Sequence, residues 1–332
     1  MTKETRAMVQ LHTLPDWSRA HSSPLFNAQL RHRPEDFQVT EELGWELSDD
    51  GEHDYLFVEK IGANTQWVAK QLAQYANVSL ADIGFAGLKD RHAITRQWFS
   101  VPRWHTPEWS TFSLEGIKIC RIERHRRKLR RGAHRGNKFV ITLRCSPGLD
   151  TESISQRIHQ LSTQGVPNYF GEQRFGRNGG NLGMAEDWAR GKRLPRDKRS
   201  LAISTIRSFT FNTELSLRVA ETTWNQLQPG DKANLEGSGS VFDLPNIDSG
   251  LVDRCQTMDI HPAAILVGDG SQFQPSHWQV ALEAARVQQG HRSLRLNVKN
   301  LSFEIIKSDI ALSFSLARGA YATAVLRELC TW

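Results

Sequence analysis

NKFVITLRC, Asn137 to Cys145, alternates without a break: Phe139, Ile141, Leu143 and Cys145 share one side, and the residues between them share the other. A period of two marks a strand with one buried face. Upstream, LEGIKICRIERH reads as a strand running into a basic stretch, and DIGFAG as a short apolar strand ending at Gly87. A second strand runs from about Arg96 to Val101, after the charged turn Lys89-Asp90-Arg91-His92. FQVTEELGWEL and YLFVEKI, within 37–60, predict a hairpin around the polar turn Ser48 to Glu52. One helix is expected after Asn64 or Thr65 as cap, with Trp67, Val68, Leu72 and Tyr75 at helical spacing. Strands and helices mix without strict βαβ alternation, so an α+β fold with an antiparallel mixed sheet is favoured over a doubly wound one.

From about Gly165 the texture changes. GVPNYFGEQRFGRNGGN is rich in Gly, Asn, Arg and aromatics, and helical segments follow near Leu182–Gly191, Leu201–Gln226 and Ser276–Gln289. After Leu296 the β pattern resumes in LSFEIIK and IALSFSLA, and YATAVLREL reads as a last helix. The expectation is a discontinuous domain, 1–164 with 297–332, interrupted by an inserted α-rich domain, 165–296. A length of 332 residues, beyond the size at which one core stops growing, agrees with two domains.

No apolar run approaches membrane-span length, and MTKETRAMVQLHTLPDW lacks an apolar signal region, so a soluble cytoplasmic protein is expected. Cys120, Cys145, Cys255 and Cys330 are far apart and form no CxxC pair; all four read as reduced apolar fillers. The charge is concentrated. RIERHRRKLRRGAHRGNK, Arg121 to Lys138, holds nine Lys or Arg and one acid, leaving 33 basic against 35 acidic residues elsewhere. A solvated basic face is the ordinary reading of such a run. Seven cations from Arg124 to Arg135 with no acid among them, mostly arginine, and Trp98 and Trp104 nearby point instead to a polyanion, RNA in particular.

Several chemistries are excluded. The chain has no GxxxxGK[ST], no HExxH, no GxSxG and no carboxylate cluster with metal-ligand spacing. Gly176 to Gly180 follows no clear strand and precedes no acidic partner, so a dinucleotide site is improbable. His92, beside Asp90, reads as a surface histidine. What remains is Asp90 itself, after Gly84 and Gly87 and flanked by Lys89 and Arg91. A cation-flanked, ionised carboxylate suits attack on an electrophilic carbon.

FAGLKDRHAITRQWFSV, Phe85 to Val101, resembles the central motif of the TruD family of tRNA pseudouridine synthases, approximately GxKDxxAxTxQ. Four further segments are similar in the family's order: RPEDFQVTE (33–41), HRRKLRRGAHRGNKF (125–139), VPNYFGEQRFG (166–176) and SLARGAYATAVLREL (315–329). One departure is Ala317-Arg318-Gly319, where the family commonly has a Pro-x-Gly turn. The resemblance implies isomerisation of uridine to pseudouridine in tRNA, at position 13, with no cofactor and no metal. It implies Asp90 as nucleophile; Phe37, Asn137 and Tyr321 in the uridine site; and Arg31 as partner of Asp90. Lys89, Arg126, Arg127, Lys128, Arg130, Arg131 and Arg135 are expected on the RNA backbone, in a basic cleft between two lobes, in a chain that is a monomer by default. Two routes are open, carboxylate attack on C1′ or loss of the C2′ proton to a glycal-like intermediate. A non-catalytic tRNA-binding protein is the alternative from another class, and a metal-dependent RNase a third.

Overall fold

The computed structural model describes residues 14–332; Met1–Thr13, which includes most of the stretch read for an export signal, lies outside the described residues. The chain divides into two compact units. One comprises 24–162, 298–319 and 329–332, and the other comprises the described residues through Ser23, 163–297 and 320–328.

In chain order the first unit begins with β1 (Phe26–Gln29), β2 (Phe37–Glu42) and β3 (His53–Lys60), followed by α1 (Thr65–Tyr75). Then come β4 (Gly84–Phe85), β5 (Ile94–Pro102), β6 (Ile117–His125), β7 (Gly136–Cys145) and most of α2 (Thr151–Gln164). The second unit holds β8 (Val166–Pro167), α3 (Gly180–Ala189), α4 (Arg196–Ala220), β9 (Lys232–Leu235), β10 (Val241–Asp243) and α5 (Ser249–Gln256). It continues with β11 (Ile260–Leu266), α6 (Ser276–Ala284), β12 (Gly290–Ser293) and β13 (Arg295–Leu296). Back in the first unit lie β14 (Lys299–Ile306) and β15 (Asp309–Ala317), then α7 (Ala322–Leu326) of the second and β16 (Cys330–Thr331) of the first.

The alternation at 137–145 is realised through its middle. Strand β7 sits inside the sheet, which runs β14-β15-β7-β2-β5-β3-β6, and Phe139, Ile141 and Leu143 are buried on one face while Cys145, at its end, is half-buried. Phe139 stacks on Phe314 at 5.4 Å, and Phe37 meets Phe139 edge-on at 6.2 Å. Along this order neighbours are antiparallel except β2 and β5, which run parallel with Val39 opposite Thr95, and off it β1 pairs in parallel with β16. That pairing overturns the expected hairpin: β5 lies between β2 and β3. Tight hairpins close in two to about five residues, whereas Leu43–Glu52 is ten residues long and spans the intervening strand.

Helix α1 starts where its cap predicts, with the Asn64 side chain accepting from the Trp67 N–H at 2.8 Å. Val68, Ala69, Leu72 and Ala73 are buried, but Trp67 and Tyr75, expected in the same stripe, are exposed at its edges. Tyr75 donates its hydroxyl to the Glu108 carbonyl at 2.6 Å.

The second unit is not simply α-rich. It also contains a four-stranded sheet, β10-β9-β11-β12, and the short pair β13-β8. IHPAAIL, which became β11, is an apolar run that periodicity cannot assign to strand or helix. The unit's boundaries differ from 165–296 as well, because aromatic packing recruits segments far away in sequence. Trp17 lies 5.5 Å from Phe175, Arg327 lies 4.7 Å above Tyr169, and the Glu328 carboxylate accepts from the Ala20 and His21 N–H groups at 2.9 and 3.1 Å. Of the four cysteines, Cys255 and Cys330 are buried, Cys145 is half-buried, and Cys120 is exposed on β6, contrary to expectation. Among the described residues no helix is long and apolar enough to cross a membrane.

Gly84 in β4 is required by close approach: a Cβ there would collide with Ser100 Oγ and with the Leu129 carbonyl oxygen. Gly84→Ala is expected to cost about 1–3 kcal/mol as overpacking, with the denaturation midpoint falling in urea titrations. An unchanged midpoint would show that Leu129 can shift without cost.

Candidate active site

The core face of the first unit's sheet carries an unusual polar row. By register, Gln97, Glu41 and Asn137 lie side by side on β5, β2 and β7, with Lys60 opposite Thr95 on the next rung. Gln97, Lys60 and Thr95 are fully buried, and Glu41 is nearly so. Buried polar groups must find partners, and Gln97, Glu41 and Lys60 find them in the loop after β4. Gln97 Nε2 donates to the Gly87 carbonyl at 3.2 Å, and Thr65, at the start of α1, links Gln97 Oε1 (2.8 Å) to the Lys89 N–H (2.9 Å). Lys89 Nζ meets Glu41 Oε2 at 2.7 Å. Lys60 Nζ donates to the Asp90 carbonyl at 2.9 Å and to the Ala63 carbonyl at 2.7 Å. Asp90 Oδ1 accepts from the His92 N–H at 3.1 Å. The segment Gly87–His92 has no regular structure, yet its backbone is held at four residues.

This arrangement presents the Asp90 carboxylate. Its Oδ2 lies 3.1 Å from Arg31 Nη1, with both side chains about a quarter exposed. Arg31 holds a left-handed backbone, φ 59°, which a non-glycine residue adopts at a cost of about 1–2 kcal/mol. Its guanidinium lies 4.2 Å above the Phe37 ring, and its buried Nε has no hydrogen-bond partner. Phe37 is thus buried and acts as the floor under Arg31. Asn137 Oδ1, next to Glu41 in the row, is also buried without a partner, an acceptor left open.

The basic stretch arrives beside this loop from sequence positions forty residues on. Leu129 is its buried anchor, its N–H donating to Ser100 Oγ at 2.9 Å. The Gly132 N–H donates to the Ala86 carbonyl at 2.8 Å, and Arg131 lies 3.5 Å over the Phe85 ring. Arg318, at the departure from the Pro-x-Gly pattern, donates its N–H to the Arg135 carbonyl at 3.1 Å and its guanidinium to the Gly132 carbonyl. Lys128, Arg130 and Arg131 line a groove of about 690 Å³ together with Gln66, Leu80 and Phe85.

The expected RNA-backbone residues separate on inspection. Arg127, Arg130 and Arg135 are exposed, and among the described residues their side chains make no ion pair or hydrogen bond. Arg126 is exposed but chelates Asp50 at 2.8 to 3.0 Å, and Lys128 donates to the Ala81 carbonyl. Lys89, expected on the RNA backbone, instead turns its ammonium inward onto Glu41, with 6% of the side chain exposed. Trp98 is buried, with Arg121 5.4 Å from its ring, and Trp104 is exposed. Tyr321 belongs to the second unit. There it precedes α7, its ring edge-on to Phe170 at 6.0 Å and close against the Gly171 backbone, its hydroxyl accepting from Arg174 Nη2 at 2.8 Å.

Sequence reasoning missed Lys60, Glu41, Gln97, Thr65 and His134. A signal for the first two was present: Leu56-x-Val58-x-Lys60 and Phe37-x-Val39-x-Glu41 each place a charge at a core position of an alternating strand. Burial pulls the Lys60 ammonium down to about 8, against the upward pull of Asp90. His134 is buried close to Gly87, its Nδ1 without a partner, and burial with the charges of Lys89 and Arg318 lowers it to about 4. Among the described residues no three His, Cys, Asp or Glu side chains are grouped so as to hold a metal ion.

With this geometry in place, likeness to known proteins is informative. The family model of tRNA pseudouridine synthase D (TruD) matches residues 19–184 and 184–329. A tRNA pseudouridine synthase D of Nitrosococcus oceani is 44% identical, covering 92% of this chain and 91% of its own. Another, of Cellvibrio japonicus, is 43% identical over 95% and 92%. A crystal structure of a putative tRNA pseudouridine synthase D from Methanosarcina mazei superposes with a TM-score of 0.70 over 96% of each chain at 20% identity, a likeness of fold.

The neutral, buried His134 makes stability sensitive to acid. Its folded pKa is depressed, so below about 6.5 the unfolded chain takes up the proton first, and stability falls as pH drops from 6.5 toward 4. The loss expected from this residue is about 3 kcal/mol. Urea unfolding at pH 7 and pH 4.5 should show a smaller pH dependence in His134→Gln than in the wild type; equal slopes would mean His134 is already solvated.

Proposed function

The chain belongs to the tRNA pseudouridine synthase D family, and on that premise we propose that it isomerises the uridine at position 13 of tRNA with Asp90 as its nucleophilic carboxylate. The observation that carries the assignment to Asp90 is its tether. The carboxylate sits on a loop whose backbone is held from the sheet and α1, and Arg31 supplies a counter-charge at 3.1 Å. A group fixed in this way is oriented before substrate arrives, which is where much of the advantage of an enzyme nucleophile originates.

In the reaction the N1–C1′ bond breaks, the uracil turns, and C5 joins C1′. C5 then gives up its proton and N1 gains one. The product is an isomer of the substrate, so no electrons or groups enter from outside, and the proposal includes no cofactor or metal. Asp90 acts at the sugar, Arg31 neutralises the carboxylate between steps, and Phe37 positions Arg31. Asn137, with an open Oδ1, is assigned to a donor on the uracil edge, which presents N3–H. Tyr321 is assigned to stack on the target base, returning roughly 1–3 kcal/mol of the cost of unstacking it. The tRNA backbone is assigned to the exposed cations of 126–135, and the catalytic role to the unit of 24–162, 298–319 and 329–332, acting as a monomer in the cytoplasm.

Two outcomes follow. Asp90→Asn removes a charge and no volume. It should abolish pseudouridine formation on an unmodified tRNA transcript, assayed by carbodiimide reactivity with EDTA present, while tRNA affinity stays within a few fold. Turnover at the wild-type rate would end the assignment and favour a role in binding alone. Among the basic residues, Arg127→Gln and Arg130→Gln should each reduce the slope of log K against log salt by about 0.7–0.9. Arg126→Gln should reduce it less, because Asp50 already holds that guanidinium. Equal slopes in all three variants would place the run in solvent.

A further inference from the structure

Around Phe170, within the second unit, two guanidinium groups share one aromatic ring. Arg292 lies 4.1 Å from its centroid and Arg174 lies 5.6 Å from it. Arg292 is held by Asn168, Nη2 to the side-chain oxygen at 2.6 Å and Nε to the carbonyl at 3.2 Å. Arg174 spends its two outer nitrogens on hydroxyls, Ser204 Oγ at 3.1 Å and Tyr321 Oη at 2.8 Å. Its Nε is buried and has no partner, and among the described residues it meets no carboxylate. Two like charges on one ring repel, and among the described residues Arg174 has no carboxylate beside it to offset that repulsion. Burial, with Arg174's charge adding to it, brings Arg292 down to about 10. The partners Arg174 does have are neutral hydroxyls, which a phosphate can displace for a stronger, charge-assisted pair of bonds.

We propose that Arg174 and Arg292, with the Tyr321 hydroxyl bonded to Arg174, form an anion site that takes one phosphodiester of the RNA substrate. The site rests on the reading that the substrate is tRNA. It gives Tyr321 a second task besides stacking: its hydroxyl keeps the Arg174 fork aimed while no RNA is bound. The planar guanidinium suits the bidentate geometry of a phosphate, which an ammonium reproduces only as a point charge.

Full-length wild type, Arg174→Gln and Arg174→Lys would be titrated with unmodified tRNA transcript from 50 to 300 mM KCl, with melting temperature and pseudouridine formation measured on the same preparations. Arg174→Gln should lower the salt slope by about 0.7–0.9 and weaken binding about tenfold or less at the lowest salt, with Arg174→Lys restoring the slope but not the full affinity. An unchanged slope in Arg174→Gln overturns the site, as does a loss in both variants that tracks a fallen melting temperature, since that is packing alone. A melting-temperature rise of the wild type in inorganic phosphate over chloride at equal ionic strength, absent in Arg174→Gln, together with equal tRNA salt slopes in the two proteins, would assign the site to free phosphate and overturn the RNA assignment. If the wild type binds tRNA with the full slope and forms no pseudouridine, the proposed reaction fails while the anion site stands. If Arg174→Gln keeps the slope and pseudouridine forms normally, only the anion site fails.

Discussion

A lysine ammonium with no access to solvent holds the carbonyl of Asp90, the residue proposed as the nucleophile. Lys60 stands on the core face of β3, where the alternation of Leu56 and Val58 would place another aliphatic residue, and spans from the sheet to two loop carbonyls. Burying an ammonium is costly, by several kcal/mol even after relaxation, and the downward pull on its proton affinity expresses that cost. The Lys89–Glu41 pair, equally enclosed, repeats the arrangement one residue before Asp90. A core built for stability alone would use apolar side chains here. These charges instead restrain a loop that has no secondary structure to restrain it, as strained or polar interiors often do at functional sites.

The basic stretch shows how one segment can be both anchored and available. Leu129 and His134 are buried, and the Gly132 amide is bonded to Ala86, so the chain is pinned alongside the Asp90 loop. Between these anchors the arginines diverge. Arg126 and Lys128 are occupied by local acceptors and Arg131 lies on Phe85, while Arg127, Arg130 and Arg135 point free charge outward. Screening and competition with local acceptors make an arginine that is already paired a weaker contributor to polyanion binding than its neighbour. Charge density along a sequence therefore overstates the number of phosphate contacts.

Much of this was legible in the linear chain. The two-residue period at 137–145, the Asn64 cap and the mixture of strands and helices follow from local stereochemistry, and the structure repeats them because burial of one face and satisfaction of a helix end are decided within a few residues. Asp90 and Arg31 were legible through motif resemblance, and the structure brings them to 3.1 Å. The order of strands was not legible: β5 enters between β2 and β3 because sheet neighbours are chosen by register and face complementarity over the whole sheet, which no local pattern encodes. The membership of Trp17 and Glu328 in the second unit was hidden for the same reason, their partners being some 150 to 300 residues away.

The sequence by itself determined which residue types are available for chemistry, where strands and helices begin, and that the positive charge is gathered in one segment. Tertiary structure alone decided which of those charges face water. Lys89 and Arg127 are both single cations in charged stretches, yet one closes a buried pair with Glu41 and the other extends free from the surface. The difference lies in what the fold places opposite each side chain. The free energy of a charge depends on its surrounding dielectric and its counter-ions, and neither is a property of the residue or of its neighbours in sequence.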